Sequence, residues 1–305
     1  MSATIEIKEL SKWFGNKVAV SELTVDFGPG VTGLLGPNGA GKTTMMRVVA
    51  GLQVPSQGSV SILGVDPRVD SDIYRRIALV PEDEAVYGHL TASEFVTLAA
   101  RLSNVDSVAS RVRDAIESVE MADASDRKLE GFSKGMRQRI KVAAALVSDP
   151  EILLLDEPLN GADPVQRARL ITLFRRLGDE GKTVLVSSHV LAEVERMTDQ
   201  VVAMVDGRLA AMGHISEIRA AMSDKPRRVY IETDQTRKLA SALLQLDGVV
   251  GIELEEDRLT LQVTDAQGFA RGLPAILADG HYSVSRVEPT DESLESVFRY
   301  LVEGS

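Results

Sequence analysis

Apolar runs and turn formers alternate along the chain in short blocks. Ala3–Leu10 and Val18–Phe27 have the character of strands, punctuated by Gly15-Asn16 and by Gly28-Pro29-Gly30. Val31–Leu35 follows as a buried strand, and Lys42–Gly51 as a helix after a Gly-rich loop. From about Thr91 to Leu129 the pattern becomes helical. Thr91 with Glu94 three residues later predicts a capping box, Phe95, Leu98 and Ala99 follow at helical spacing, and Arg111–Val119 repeats the amphipathic pattern. Between Ile140 and Val205 helix and strand alternate, with strands at Ile152–Leu155 and Thr183–Ser187 and a helix over Pro164–Leu177. Pro164 suits a first helical position, where its missing N–H would have had no partner. Such alternation predicts an α/β fold with a mostly parallel sheet covered by helices.

The rhythm changes at Met222-Ser223-Asp224-Lys225-Pro226, a polar segment closed by proline. Beyond it the pattern predicts strand (Arg228–Thr233), helix (Thr236–Leu246), strands (Val249–Glu255 and Arg258–Val263), helix (Ala266–Ala278), strand (His281–Val287) and helix (Asp291–Leu301). That βαββαβ order suggests a small ferredoxin-like α+β domain over 223–305, after a larger domain over 1–222.

Composition narrows the function. At 305 residues and 44% hydrophobic, the chain has room for one large and one smaller core. No stretch approaches the roughly 18 apolar residues of a membrane span, and the first residues lack a basic segment followed by an apolar run. Cytosolic residence is the expectation. The absence of cysteine excludes disulfides, thiolate zinc sites and a cysteine nucleophile. A formal net charge of −11 argues against sequence-independent nucleic-acid binding and against direct contact with anionic lipid, so membrane contact would be made through a partner protein.

The string Gly36, Pro37, Asn38, Gly39, Ala40, Gly41, Lys42, Thr43, Thr44 fits G-x-x-x-x-G-K-[ST]. Glycines there let the backbone present its N–H groups to phosphates, with Lys42 near the β/γ-phosphates and the Thr43 hydroxyl on Mg²⁺. A chance Gly-rich turn would lack the flanking strand and helix. A second string, Ile152-Leu-Leu-Leu-Asp-Glu-Pro158, is a buried strand ending in two acids. Asp156 would hold Mg²⁺ through its water shell and Glu157 would face the attacking water. A third string, Phe132-Ser-Lys-Gly-Met-Arg-Gln-Arg-Ile140, combines a serine, a glycine and a helix start, which together make an anion site. Standing alone it would be a basic helix cap.

With these strings the chain resembles the ATP-binding subunits of ABC transporters over nearly all of residues 1–220. In that family the third string is the signature motif, most often LSGGQ. The matching Ser133, Lys134, Gly135 and Met136 form a variant similar to that of exporter-type subunits. The resemblance implies that Ser133 and the N–H of Gly135 grip ATP held by a second subunit, so that two copies sandwich two ATP molecules. It implies that Asp163, in Leu159-Asn-Gly-Ala-Asp-Pro164, lies in the D-loop facing the opposite subunit, and that His189 senses the γ-phosphate. A lone histidine is more often structural, but this one follows a core strand. Phe14 matches the aromatic that stacks on adenine, usually tyrosine, with Trp13 as the alternative.

Glu82 stands where the family has the Q-loop glutamine. A glutamate can supply Mg²⁺ with an oxygen but, while ionised, cannot donate a hydrogen bond. Glu82 is therefore expected as a contact on the Mg²⁺ side, one acid in a solvated acidic loop being the alternative. Asp83 to Leu90 would meet the coupling helix of a transmembrane permease, which places the chain peripherally on the cytoplasmic face of the membrane. The closing segment Pro289–Phe298 is similar to the tails of subunits from drug-resistance exporters. Ribosome-associated and DNA-maintenance ABC proteins are the rival class, but a second P-loop, a long coiled-coil insertion and a basic surface are all missing. A P-loop kinase is a remoter alternative. His281 and the Glu253, Glu255, Glu256 and Asp257 cluster are explained as strand-end polarity.

Overall fold

Strand ends meet helix starts around two sheets in the first part of the computed structural model, which describes residues 3–83, 86–221 and 226–289. In chain order the elements are β1 (Ile5–Phe14), β2 (Lys17–Phe27), β3 (Gly30–Leu35), α1 (Lys42–Val49), β4 (Gln57–Ile62), β5 (Ile77–Val80), α2 (Ala92–Leu102), α3 (Val108–Ser118), α4 (Lys134–Leu146) and β6 (Ile152–Asp156). There follow α5 (Pro164–Asp179), β7 (Thr183–Ser188), α6 (Leu191–Glu195), β8 (Gln200–Val205) and β9 (Arg208–His214). The main sheet has the order β5-β6-β7-β3-β8-β9 and is parallel except at the β8–β9 hairpin. A smaller antiparallel sheet, β2-β1-β4, lies apart from it in the pairing scheme, and side chains from both sheets and from α1 share one core.

Burial explains the order. Every residue of β6 and β7 is buried, as expected of central parallel strands covered on both faces. The antiparallel strands instead show one buried face, with Ile5, Ile7 and Leu10 inside, and three register shifts bend β1 along β2. The runs Ala3–Leu10 and Val18–Phe27 foretell β1 and β2, but the shifts break the period of two and hide their register, and β4, β5, β8 and β9 are not legible in the pattern.

Between β5 and β6, helices α2, α3 and α4 pack on one another. Thr91 caps α2 as expected: its hydroxyl accepts from the N–H of Glu94, and the Glu94 carboxylate accepts from the N–H of Thr91 at 2.8 Å. The buried face of α2 differs from the expected one. Ala92, Val96 and Ala100 turn inward, whereas Leu98 is exposed and Phe95 lies beside Tyr87 with ring centroids 6.2 Å apart. Small residues let the neighbouring helices approach closely, and the bulkier apolar side chains are left on the rim.

The chain divides into units of residues 1–214 and 215–305, the second opening with α7 (Ile215–Ala221). It continues with β10 (Arg227–Thr233), α8 (Thr236–Leu243), β11 (Val249–Leu254), β12 (Arg258–Val263), α9 (Ala266–Asp279) and β13 (Val284–Pro289). The sheet order β11-β12-β10-β13, antiparallel throughout, is the split βαββαβ arrangement of a ferredoxin-like fold. Val229, Ile231, Leu259, Leu261 and Val263 fill a core with Leu239, Leu243 and Phe269 from the helices. The last strand begins at Val284 and not at His281. His281 and Tyr282 donate their N–H groups to Ala278 and Leu277, closing the end of α9, and His281 has φ +50°. The polar segment Met222–Lys225, the helix expected over Asp291–Leu301 and most of the Pro289–Phe298 tail lie outside the described residues.

Leu154, fully buried in β6, should be costly to truncate. Leu154→Ala is expected to destabilise the first unit by about 2–5 kcal/mol, measured as a lowered urea midpoint with an unchanged slope.

Candidate functional site

The phosphate loop leaves the middle of the sheet, because β3 is paired on both sides by β7 and β8. Packing dictates two of its glycines. A Cβ on Gly36 would lie 2.5 Å from the Met204 carbonyl oxygen, and one on Gly41, whose φ is +98°, would lie 2.4 Å from that of Ala19. Lys42 opens α1 and is buried, its ammonium donating to the carbonyls of Gly36 at 2.6 Å and Pro37 at 3.2 Å. The loop therefore wraps around its own cation. Burial pushes the Lys42 ammonium below its ordinary range, opposed by the negative charges of Glu157, Asp156 and Glu82.

These groups line one cleft of about 380 Å³. Its lining comes from Phe14, Lys17 and Ala19 at the β1–β2 hairpin, from Asn38 to Thr44, and from Glu82, Asp156 and Glu157. Phe14, 48% exposed, is the aromatic that lines the cleft, and the Lys12 ammonium sits 4.9 Å from its ring centroid. Trp13 is not among the lining residues. Thr43, Asp156 and Glu82 offer hard oxygen donors to a cation. Among the described residues no three His, Asp or Glu side chains make a cation site by themselves. The set fits Mg²⁺, which is held by one or two carboxylates and takes its remaining oxygens from phosphates and water.

The two acids are fixed from the neighbouring strand. The buried Ser187 hydroxyl, at the end of β7, donates to Asp156 Oδ1 at 2.6 Å and accepts from the N–H of Glu157 at 2.9 Å. Glu157 adopts φ +49°, a left-handed conformation that a non-glycine residue keeps only where its surroundings enforce it. Its Oε2 lies 2.9 Å from His189 Nδ1. Burial raises the Glu157 carboxyl above its ordinary range, and the His189 hydrogen bond partly opposes this. Sequence reasoning missed Ser187, although a polar residue within an otherwise apolar strand just before His189 was a signal.

Ser133, Lys134, Gly135, Met136 and Asp163 do not line this cleft. Ser133 caps α4, accepting from the N–H of Met136 at 3.2 Å, and Asp163 caps α5, accepting from the N–H of Gln166 at 2.9 Å. The two segments touch: a Cβ on Gly135 would lie 2.8 Å from the Gly161 carbonyl oxygen. Arg167 then joins the second segment to the histidine loop, donating to the Ala162 carbonyl at 3.0 Å and to Glu193 Oε1 at 2.9 Å, while Ser188 donates to Glu193 Oε2 at 3.3 Å. Neither Arg167 nor Glu193 was singled out from sequence, since charged residues on helices usually face solvent.

A glycine-lined loop entering a helix, with a buried lysine and two acids at the end of a nearby parallel strand, defines a P-loop nucleotide-binding protein. The model of the ABC transporter family matches residues 20–160. The bacitracin transport ATP-binding protein BcrA of Enterococcus faecalis is 31% identical over 100% of this chain and 98% of its own. The daunorubicin/doxorubicin resistance ATP-binding protein DrrA of Streptomyces peucetius is 33% identical over 96% of this chain and 91% of its own. A dimeric structure of a bacterial ABC transporter cassette superposes with a TM-score of 0.62 at 27% identity, covering 69% of this chain and 98% of that one. The chain belongs to the ABC transporter family, as an ATP-binding and ATP-hydrolysing subunit.

Because the Glu157 carboxyl holds its proton more tightly when folded, the stability this gives is present below the unfolded pKa. It is lost as pH rises through the folded one. Glu157→Gln removes the buried charge and keeps a hydrogen-bonding partner for His189. Calorimetry without nucleotide should show it unfolding at a higher temperature than the parent at pH 8, with the gap closing as pH falls through the carboxylate range.

Proposed function

We propose that the chain powers export through separate transmembrane permease subunits by hydrolysing ATP with Mg²⁺ between two of its own copies. The observation that carries this reading is the His189–Glu157 pair at 2.9 Å, at the edge of a cleft that also holds Lys42 and Asp156. Phe14 would stack on adenine. The backbone N–H groups between Gly36 and Thr44 would cradle the phosphates, and the Lys42 ammonium would exchange its two carbonyls for β- and γ-phosphate oxygens. Thr43, Glu82 and, through water, Asp156 would hold Mg²⁺, which supplies neutralisation of phosphate charge. Glu157 would orient the attacking water and take up its proton, with His189 keeping that carboxylate aimed while contacting the γ-phosphate.

A second copy accounts for Ser133, Lys134, Gly135 and Met136, which lie off their own cleft yet make an anion site at a helix N-terminus. Asp163 would face the opposite subunit. A two-fold dimer would complete each cleft with the other's signature segment, and the dimeric cassette described above supports that reading. Export is supported by relatives named for bacitracin transport and for daunorubicin and doxorubicin resistance. Among the described residues no helix is long and apolar enough to cross a membrane. The subunit would sit peripherally at the cytoplasmic face, with its permease against Asp83–Leu90, of which 84 and 85 lie outside the described residues. The ferredoxin-like unit would regulate or stabilise the dimer.

Glu157→Gln is expected to keep ATP binding and to lower turnover by roughly 10² or more, in line with loss of a general base. Near-normal ATPase activity would sink the assignment. With circular dichroism unchanged, Ser133→Arg should abolish ATP-dependent dimerisation in sedimentation, and a persisting nucleotide-bound dimer would count against the sandwich.

A further inference from the structure

A buried lysine outside the phosphate loop ties the signature helix to the acidic segment after β5. Lys141 lies on α4, eight residues after the cap Ser133, and only 7% of it is exposed. Eight residues of helix span roughly 12 Å. Lysines are almost never this buried unless their ammonium is satisfied. Here it donates to the carbonyl oxygens of Pro81 and Asp83, at 2.5 Å each, and to Gln138 Oε1 at 3.0 Å.

The two carbonyls bracket Glu82. The ladder between β5 and β6 ends at Val80↔Leu155, so the backbone beyond it is outside the sheet's regular pairing. Pro81 has no N–H to offer. The direction in which the Glu82 side chain leaves the backbone is therefore fixed from α4. Glu82 in turn lines the cleft and lies close enough to Lys42 and Glu157 for its charge to act on both.

We propose that Lys141 is a positioning residue for Glu82, holding its carboxylate on the cation side of the cleft from the same helix that presents Ser133 to the second subunit. This rests on the reading of Glu82 as a Mg²⁺ contact. It gives α4 two attachments: its N-terminal cap addresses the partner's nucleotide, and its second turn addresses the cation of its own. A shift of α4 on closure of the dimer then moves Glu82 directly, so that occupancy of one cleft alters cation binding in the other.

The test uses the full chain with a non-hydrolysable ATP analogue and Mn²⁺ as the probe, bound Mn²⁺ being followed by electron paramagnetic resonance. Lys141→Met and Glu82→Ala are each expected to weaken Mn²⁺ by about tenfold, the scale for a residue that orients a metal contact. Analogue affinity without metal should stay within twofold, a split that general loss of structure would not produce. The double variant should be no weaker than Glu82→Ala alone, because the lysine acts through the glutamate. Lys141→Gln, which keeps a donor, should fall between parent and Met variant, and it supplies the measurement if the Met variant does not fold. Additive effects, or parental Mn²⁺ affinity in both Lys141 variants while Glu82→Ala is weakened, overturn the proposal. Parental affinity in Glu82→Ala overturns the reading of Glu82 and the inference with it.

Discussion

A single buried hydroxyl, that of Ser187, sets the geometry on which the site depends. Asp156, the last residue of β6, pairs with Ser187 in the ladder, and Glu157 lies just beyond it. The Ser187 hydroxyl reaches both, donating to the Asp156 carboxylate and accepting from the N–H of Glu157. It thereby holds Glu157 in a left-handed conformation that costs on the order of 1–3 kcal/mol. The strain turns the side chain toward His189 and the cleft in place of continuing the strand. Burial then works on charge. It disfavours the ammonium of Lys42 and the carboxylate of Glu157 at once, and the two groups partly offset each other across the cleft.

The signature and D-loop segments follow a different logic. Their serine and aspartate complete the ends of their own helices, and the glycines let the two segments meet closely, with the Lys134 side chain laid over Gly161. Arg167 and Glu193 extend this contact to the loop carrying His189. Polar bridges thus join these segments to the neighbourhood of the cleft, Arg167–Glu193 reaching the loop that carries His189 and Lys141 reaching the backbone on either side of Glu82.

Much of this was legible in sequence where one residue type does one local job. The G-x-x-x-x-G-K-[ST] string, the Thr91–Glu94 capping box and Pro164 at the start of α5 all depend on neighbours within a few positions. The all-apolar runs of β6 and β7 declared themselves because both faces are covered. Long-range decisions were not legible. The β2-β1-β4 sheet is set by pairing across the chain and interrupted by bulges, and the inward face of α2 is chosen by how closely α4 can approach. Ser187 and Lys141 act on residues 30 or more positions away, where spacing carries no signal. In the second unit, element order foretold the sheet order, since βαββαβ leaves few compact arrangements. The start of β13 was misplaced because the closing turn of α9 consumes His281 and Tyr282.

The β1–β2 hairpin that brings Phe14 to the cleft also carries the chain's single tryptophan, one residue earlier and 40% exposed. Indole emission responds to local polarity, and no second indole contributes background. The protein therefore contains its own optical reporter one residue from the aromatic that lines the nucleotide cleft, and a change in this hairpin on ligand arrival can be followed in unlabelled material by stopped-flow fluorescence.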